Sequence, residues 1–139
     1  MIKSDMIGNI TELQCMLSFI ELGYAVSIPY GSKERYDFVV DINGKLLRIQ
    51  CKKCTFSYHK KYDVIKFKTS VYSRGKGQLK YKESELDYFC TYYNNNCYLI
   101  PYEDCKATSK TLYLNDFSGV KENDLAEKYE LKHVLMNLN

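Results

Sequence analysis

Apolar and polar positions change period several times along this chain, and each change marks an element. Residues 10–22 are densely apolar (Ile10, Leu13, Cys15, Met16, Leu17, Phe19, Ile20, Leu22), the spacing of a helix buried over much of its surface. Asn9 suits its N-cap, Glu12 stands three residues on in capping-box register, and Gly23 suits the position that ends it. A short strand over 24–28 is closed by Pro29 and a turn. Two β-favouring runs, 36–42 and 46–51, then flank Asn43-Gly44, a strong hairpin signal. Residues 62–69 alternate as a further strand, 70–80 read as a mobile basic loop, and 81–86 as a short helical turn. Runs 87–93 and 97–102 pair about Asn94-Asn95-Asn96, 111–114 adds an edge strand, and 124–138, with acids early, predicts a terminal helix. The expected class is α/β: an N-terminal helix, a mixed sheet of about five or six strands and a C-terminal helix, in one domain over residues 1–139.

Composition adds little until it is divided along the chain. Apolar content of 45% and charged content of 27% are ordinary for a soluble protein. No apolar run approaches the roughly 20 residues of a membrane span, and the first nine residues lack a signal core. A cytoplasmic, reducing setting is expected, with the six cysteines as free thiols. Cys51 and Cys54 have a zinc-like gap but face opposite sides of a continuous strand, and His59 and His133 stand alone. Small buried hydrophobes are the preferred reading of the cysteines. The net charge of +3 conceals an asymmetry: residues 52–82 hold ten Lys/Arg and one acid, a net of +9, against −6 for the remainder. That is the pattern of a polyanion-binding face.

The hairpin also carries the candidate chemistry. Gln50 and Lys52 point to one side of their strand, Ile49 and Cys51 to the other, and Asp37 stands near the start of the preceding strand. An acid, an amide and a lysine gathered at one end of a sheet are costly unless they bind something polar, here a metal and a phosphate. Glu12 shares a helix face with Cys15, Met16 and Phe19. It is either a capping-box glutamate or a carboxylate aimed at the sheet. Gly31, Ser32, Lys33 and Arg35 form a polar loop able to offer groups to a phosphate.

Glu12 on a first helix, Asp37 after a short strand and Gln50-Cys51-Lys52 on the next strand together resemble the PD-(D/E)XK nuclease superfamily. The likeness is strongest to small intron-type homing endonucleases, whose third motif can read Gln-x-Lys, and to archaeal-type Holliday junction resolvases. It covers residues 8–55 well and 56–102 in general strand order. Two positions depart from the pattern: Tyr36 stands for the usual proline, and Gln50 for an acid, which removes one negative charge.

The resemblance implies a restriction-endonuclease-like core and Mg²⁺-dependent hydrolysis of DNA phosphodiesters, with Mn²⁺ able to substitute. Asp37, the Gln50 side-chain oxygen and the Cys51 carbonyl would hold the metal, and Glu12 its water or a second ion. Lys52 would orient the attacking water or stabilise charge on phosphorus. Lys53, Lys60, Lys61, Lys66, Lys68, Arg74, Lys76, Lys80 and Lys82, with Ser32, Lys33 and Arg35, are candidates for DNA phosphates. The DNA is a duplex or a four-way junction, and cutting both strands requires at least a dimer. Two other readings stand beside the nuclease. One is a DNA-binding module that lost its chemistry with the Gln50 change. The other is a structural Asp37–Lys52 pair beside a solvated basic face.

Overall fold

Asn43 and Gly44 both adopt left-handed conformations, with φ of 54° and 93°, and turn β2 (Phe38–Ile42) into β3 (Lys45–Cys51). This is the backbone a right-twisted two-residue hairpin requires, and Asn-Gly is the pair that accepts it. The computed structural model describes residues 2–31, 33–59, 61–117 and 119–138. Around the hairpin it builds a five-stranded sheet in the order β1 (Ala25–Ser27), β2, β3, β8 (Tyr88–Tyr93), β9 (Asn96–Pro101). Every neighbouring pair is antiparallel except β3 and β8, where Gln50 faces Phe89 and Cys51 faces Cys90 in parallel register.

A parallel pair needs a long crossover, and residues 52–87 provide it. Most of that crossover is itself β. Strands β4 (Cys54–His59), β5 (Tyr62–Lys68) and β10 (Ser109–Tyr113) form a second sheet in the order β10, β5, β4, and β6 (Ser70–Ser73) pairs with β7 (Gly77–Lys80). Arg48 secures the return. Its guanidinium donates to Asp87 at 2.9 and 3.1 Å, its N–H donates to the same carboxylate at 2.8 Å, and the Asp87 N–H donates to the Arg48 carbonyl at 2.9 Å.

Two apolar clusters lie on opposite faces of the main sheet. On one, α1 (Ser4–Glu21) and α2 (Leu131–Leu138) cover Phe38, Val40, Leu47, Ile49 and Leu99. On the other, Phe89 and Ile100 meet Ile65, Phe67 and Leu112 of the second sheet. The helix–sheet–sheet layering is a restriction-endonuclease-like α/β core, as expected. Among the described residues no helix is long and apolar enough to cross a membrane.

Several expectations are corrected. Helix α1 begins at Ser4, not Asn9, so Glu12 is mid-helix and makes no capping box. Asp5 accepts the Met6 N–H at 3.0 Å and Lys53 bonds Ser4, which anchors the extra turns from both sides. Its buried residues are only Thr11, Cys15, Met16 and Phe19, so the helix is not sunk over most of its surface. Its end is as expected: Gly23, at φ 91°, donates to Ile20 and Tyr24 donates to Phe19, the paired bonds of a Schellman motif. Residues 70–80 form the β6–β7 hairpin rather than a mobile loop, because the buried Ser70 hydroxyl bonds Gln78 at 2.7 Å and the Thr108 carbonyl at 2.9 Å. Strand β4 was not foreseen, and residues 83–85 make turns without a helix. The terminal helix starts only at Leu131, after 3₁₀ turns at Glu122–Asp124 and Ala126–Tyr129. Buried Tyr129 bonds Asp104 at 2.7 Å, and Leu125 between the turns is extended, so the helical phase is broken there.

Phe19 is fully buried and packs edge-on against Phe38 with ring centres 6.0 Å apart. Phe19→Ala is expected to lower unfolding free energy by about 3–5 kcal/mol in urea denaturation, because it opens a cavity where helix meets hairpin.

Candidate active site

Asp37 stands one residue before β2. Its N–H donates to the Ile49 carbonyl at 2.8 Å, and its Oδ2 accepts the Cys51 N–H at 2.7 Å. Backbone and side chain together stitch the opening of one strand to the close of the other. The Gln50 side-chain amide lies 3.4 Å from the Cys51 carbonyl. Turned by half a rotation, that amide sets its oxygen beside the carbonyl as a second oxygen donor. Beyond β3, the Lys52 N–H donates to the Cys90 carbonyl at 2.9 Å. The Lys52 ammonium lies 4.9 Å from the centre of the Tyr81 ring and donates to the Ser70 carbonyl at 3.3 Å. Among the described residues no direct ion pair joins it to Asp37, and the two groups act on each other through charge at a distance.

The charges at this spot are poorly satisfied by the protein alone. Burial pushes the Asp37 carboxyl above its ordinary value, and the Cys51 N–H and the Lys52 charge only partly pull it back. Burial and then the Asp37 charge raise Glu12, so the helix-borne carboxylate stands within electrostatic reach of the hairpin. Burial lowers the Lys52 ammonium against the attraction of Asp37, and Arg35 and Lys68 add repulsion. Burial and Asp37 push the Tyr81 phenol up to about 12. Burial alone would raise the Cys51 thiol, but hydrogen bonds from Cys15 and Cys90 bring it down to about 7. Two carboxylates share too little positive charge, and the oxygen-rich remainder (Gln50 amide, Cys51 carbonyl) suits a hard divalent cation.

Lys52 opens onto a groove of about 700 Å³ whose lining includes Lys53, Lys66, Lys68, Ser70 and Gln78. Lys66 and Lys68 stand exposed on β5. Lys33, Lys61, Arg74, Lys76 and Lys82 are likewise exposed, Arg74 and Lys76 at the tip of the β6–β7 hairpin. Of the cations expected to contact phosphates, three are engaged within the fold: Arg35 with Glu85 at 3.4 Å, Lys53 with Ser4, and Lys80 with the Lys106 carbonyl. Ser32 and Lys60 lie outside the described residues. Sequence reasoning did not assign Tyr81 a place beneath Lys52 or see Ser70 as its acceptor. A tyrosine between two lysines in sequence carries no sign of which cation its ring meets.

The family model of PD-(D/E)XK endonucleases matches residues 2–131. The chain belongs to this family. A search of curated proteins finds no match. Among solved structures, the PD-(D/E)XK fold seen here is similar to that of a bacterial homing endonuclease, I-Ssp6803I, at 19% identity, over 97% of this chain and 93% of that one, with a TM-score of 0.72. Asp37 and Lys52 flank the β2–β3 hairpin, and Gln50 lies within β3.

The raised Asp37 carboxyl makes a directional prediction. A carboxyl whose folded-state pKa exceeds its unfolded value costs stability once pH passes above the carboxylate range, and that cost disappears as pH falls through it. Asp37→Asn keeps an acceptor for the Cys51 N–H and removes the charge. In metal-free buffer it is expected to melt at a higher temperature than the parent at neutral pH, with the gap closing on acidification. Melting curves across pH check this.

Proposed function

We propose that the chain is a Mg²⁺-dependent DNA endonuclease of the homing-endonuclease type, with Mn²⁺ able to substitute. The observation that carries this is the meeting of a half-buried, undercompensated Asp37 with the Gln50 amide, the Cys51 carbonyl and Lys52 at the rim of a lysine-lined groove. Asp37 would use the carboxylate oxygen not taken by the Cys51 N–H, with Gln50 and Cys51 adding neutral oxygens and Glu12 a second carboxylate. When bound, the cation supplies Lewis acidity to the phosphoryl group and acidifies a water. Lys52, steadied by the Ser70 carbonyl and the Tyr81 ring, donates from Nζ to an oxygen of the scissile phosphate as negative charge grows there. Lys66, Lys68 and the cations of the β6–β7 tip hold the flanking backbone without reading sequence.

Lys52→Ala is expected to slow DNA cutting by about 10²–10³-fold, and Asp37→Ala to abolish it, while both variants still bind DNA. Cutting that survives EDTA, or that persists at the parental rate in Lys52→Ala, would overturn this mechanism. Binding without cutting of linear, supercoiled or branched DNA under either cation would instead mean a module that has lost its chemistry. Competition between a four-way junction and a duplex of the same sequence separates a homing enzyme from a junction resolvase, and the duplex is expected to win. The Lys66→Ala, Lys68→Ala double variant is expected to flatten the slope of log affinity against log salt by about two.

We also propose self-association through α1. Met6, Ile10, Leu13, Leu17 and Ile20 repeat at alternating spacings of four and three and are each 41% to 62% exposed. That is the seam of a helix pair. The seam is centred on Leu13, so an antiparallel second copy would match it and bring Lys3 toward the partner's Glu21. Such a dimer supplies the two sites that double-strand cutting needs. Leu13→Glu is expected to give a monomer by light scattering.

A further inference from the structure

Four of the six cysteines converge in the core between the helix and the main sheet, and the proposed nuclease chemistry uses none of their sulfurs. Cys51 and Cys90 are direct partners across the parallel β3–β8 pair. Cys97 lies diagonally from Cys90 across β8–β9, where Cys90 faces Leu99 and Tyr92 faces Cys97. Cys15 comes down onto them from α1 and is fully buried. The sulfurs of Cys15, Cys51 and Cys90 all lie within 4.8 Å of one another, and that of Cys97 is 3.2 Å from that of Cys90. The sheet supplies three corners and the helix the fourth.

A tetrahedral zinc–tetrathiolate site, with bonds of about 2.3 Å, holds its sulfurs about 3.8 Å apart. The spacings among Cys15, Cys51 and Cys90 and between Cys90 and Cys97 bracket that edge length; Cys97 stands outside the mutual 4.8 Å group of the other three, so its side chain has to swing toward them to close the site. Burial of a small apolar group accounts for one such cysteine. It does not account for four thiols brought to one point by four separate elements. Cys54 and Cys105 stand apart from the group, and Cys105 belongs to the cluster on the other face of the sheet.

We propose that Cys15, Cys51, Cys90 and Cys97 form a structural zinc site that ties α1 to β3, β8 and β9 just before Lys52. On binding, each sulfur exchanges its proton for the metal and the proton passes to the buffer. The site has no part in hydrolysis, and its existence is independent of the Mg²⁺ reading.

The protein, purified without chelator, is expected to carry one zinc per chain by elemental analysis. After stripping, Co²⁺ alone is expected to produce the intense thiolate-to-cobalt charge-transfer and visible bands of a tetrahedral tetrathiolate, and Zn²⁺ to bleach them. Cys97→Ser and Cys90→Ser should lose the bound zinc and melt lower, while Cys105→Ser should keep it. Should those variants not fold, the Co²⁺ spectrum of the parent protein still decides. Asp37→Asn is expected to lose Mg²⁺-dependent cutting and retain zinc, which separates failure of one site from failure of the other. A zinc content near zero with no cobalt charge-transfer band would overturn the proposal. So would a Cys90–Cys97 disulfide in protein kept under reductant.

Discussion

The hydrogen bond from the Cys51 N–H to the Asp37 carboxylate, 2.7 Å long, is the contact on which the candidate site depends. Strand β3 has to serve three neighbours near its end: β2 along one edge, β8 along the other, and the chain leaving toward the second sheet. With Ile49 already bonded to Asp37 through the backbone, the Asp37 side chain captures the next available donor as β2 runs out. The bond therefore ends one strand pair and orients the acid in a single step. It also fixes the Cys51 carbonyl and the Gln50 side chain close by. Without it the motif would be three residue types near a turn, with no common focus.

Around that focus the protein leaves charge poorly compensated. A half-buried carboxylate pushed up, a second carboxylate raised by burial and by the first, and a lysine pulled down are each unfavourable in the free protein. A nearby cation would relieve the two carboxylates and a nearby anion the lysine. Gln50 fits this arrangement. A third carboxylate would deepen the repulsion, whereas a neutral amide adds an oxygen without adding charge.

The +9 segment acquires its meaning from the crossover. A parallel β3–β8 pair obliges the chain to leave the sheet and return, and here the excursion is a sheet of its own whose inner face completes the second apolar cluster. Its apolar side chains are spent on that contact, so Lys66 and Lys68 are left outward, toward the groove that Lys52 opens. The exposed lysines and Lys52 thus share one boundary between layers. Strand pairing, not sequence proximity, creates that boundary.

The sequence alone determined the hairpin, since Asn-Gly at left-handed φ between β-favouring runs leaves the backbone few alternatives, and through it the order Asp37, Gln50, Lys52. It likewise determined the second hairpin, the helix end at Gly23, the α/β class and the charge asymmetry, because each rests on neighbours in the chain. Tertiary structure decided the rest. Helix α1 starts at Ser4 because Lys53 reaches it from the end of β3, and no local cap announces that. Residues 70–80 are ordered because Thr108 lies alongside Ser70, and the terminal helix is delayed because Tyr129 is held by Asp104. Tyr81 beneath Lys52 and four thiols at one point are meetings of residues far apart in the chain. Such contacts follow from how layers stack, and no local pattern encodes that.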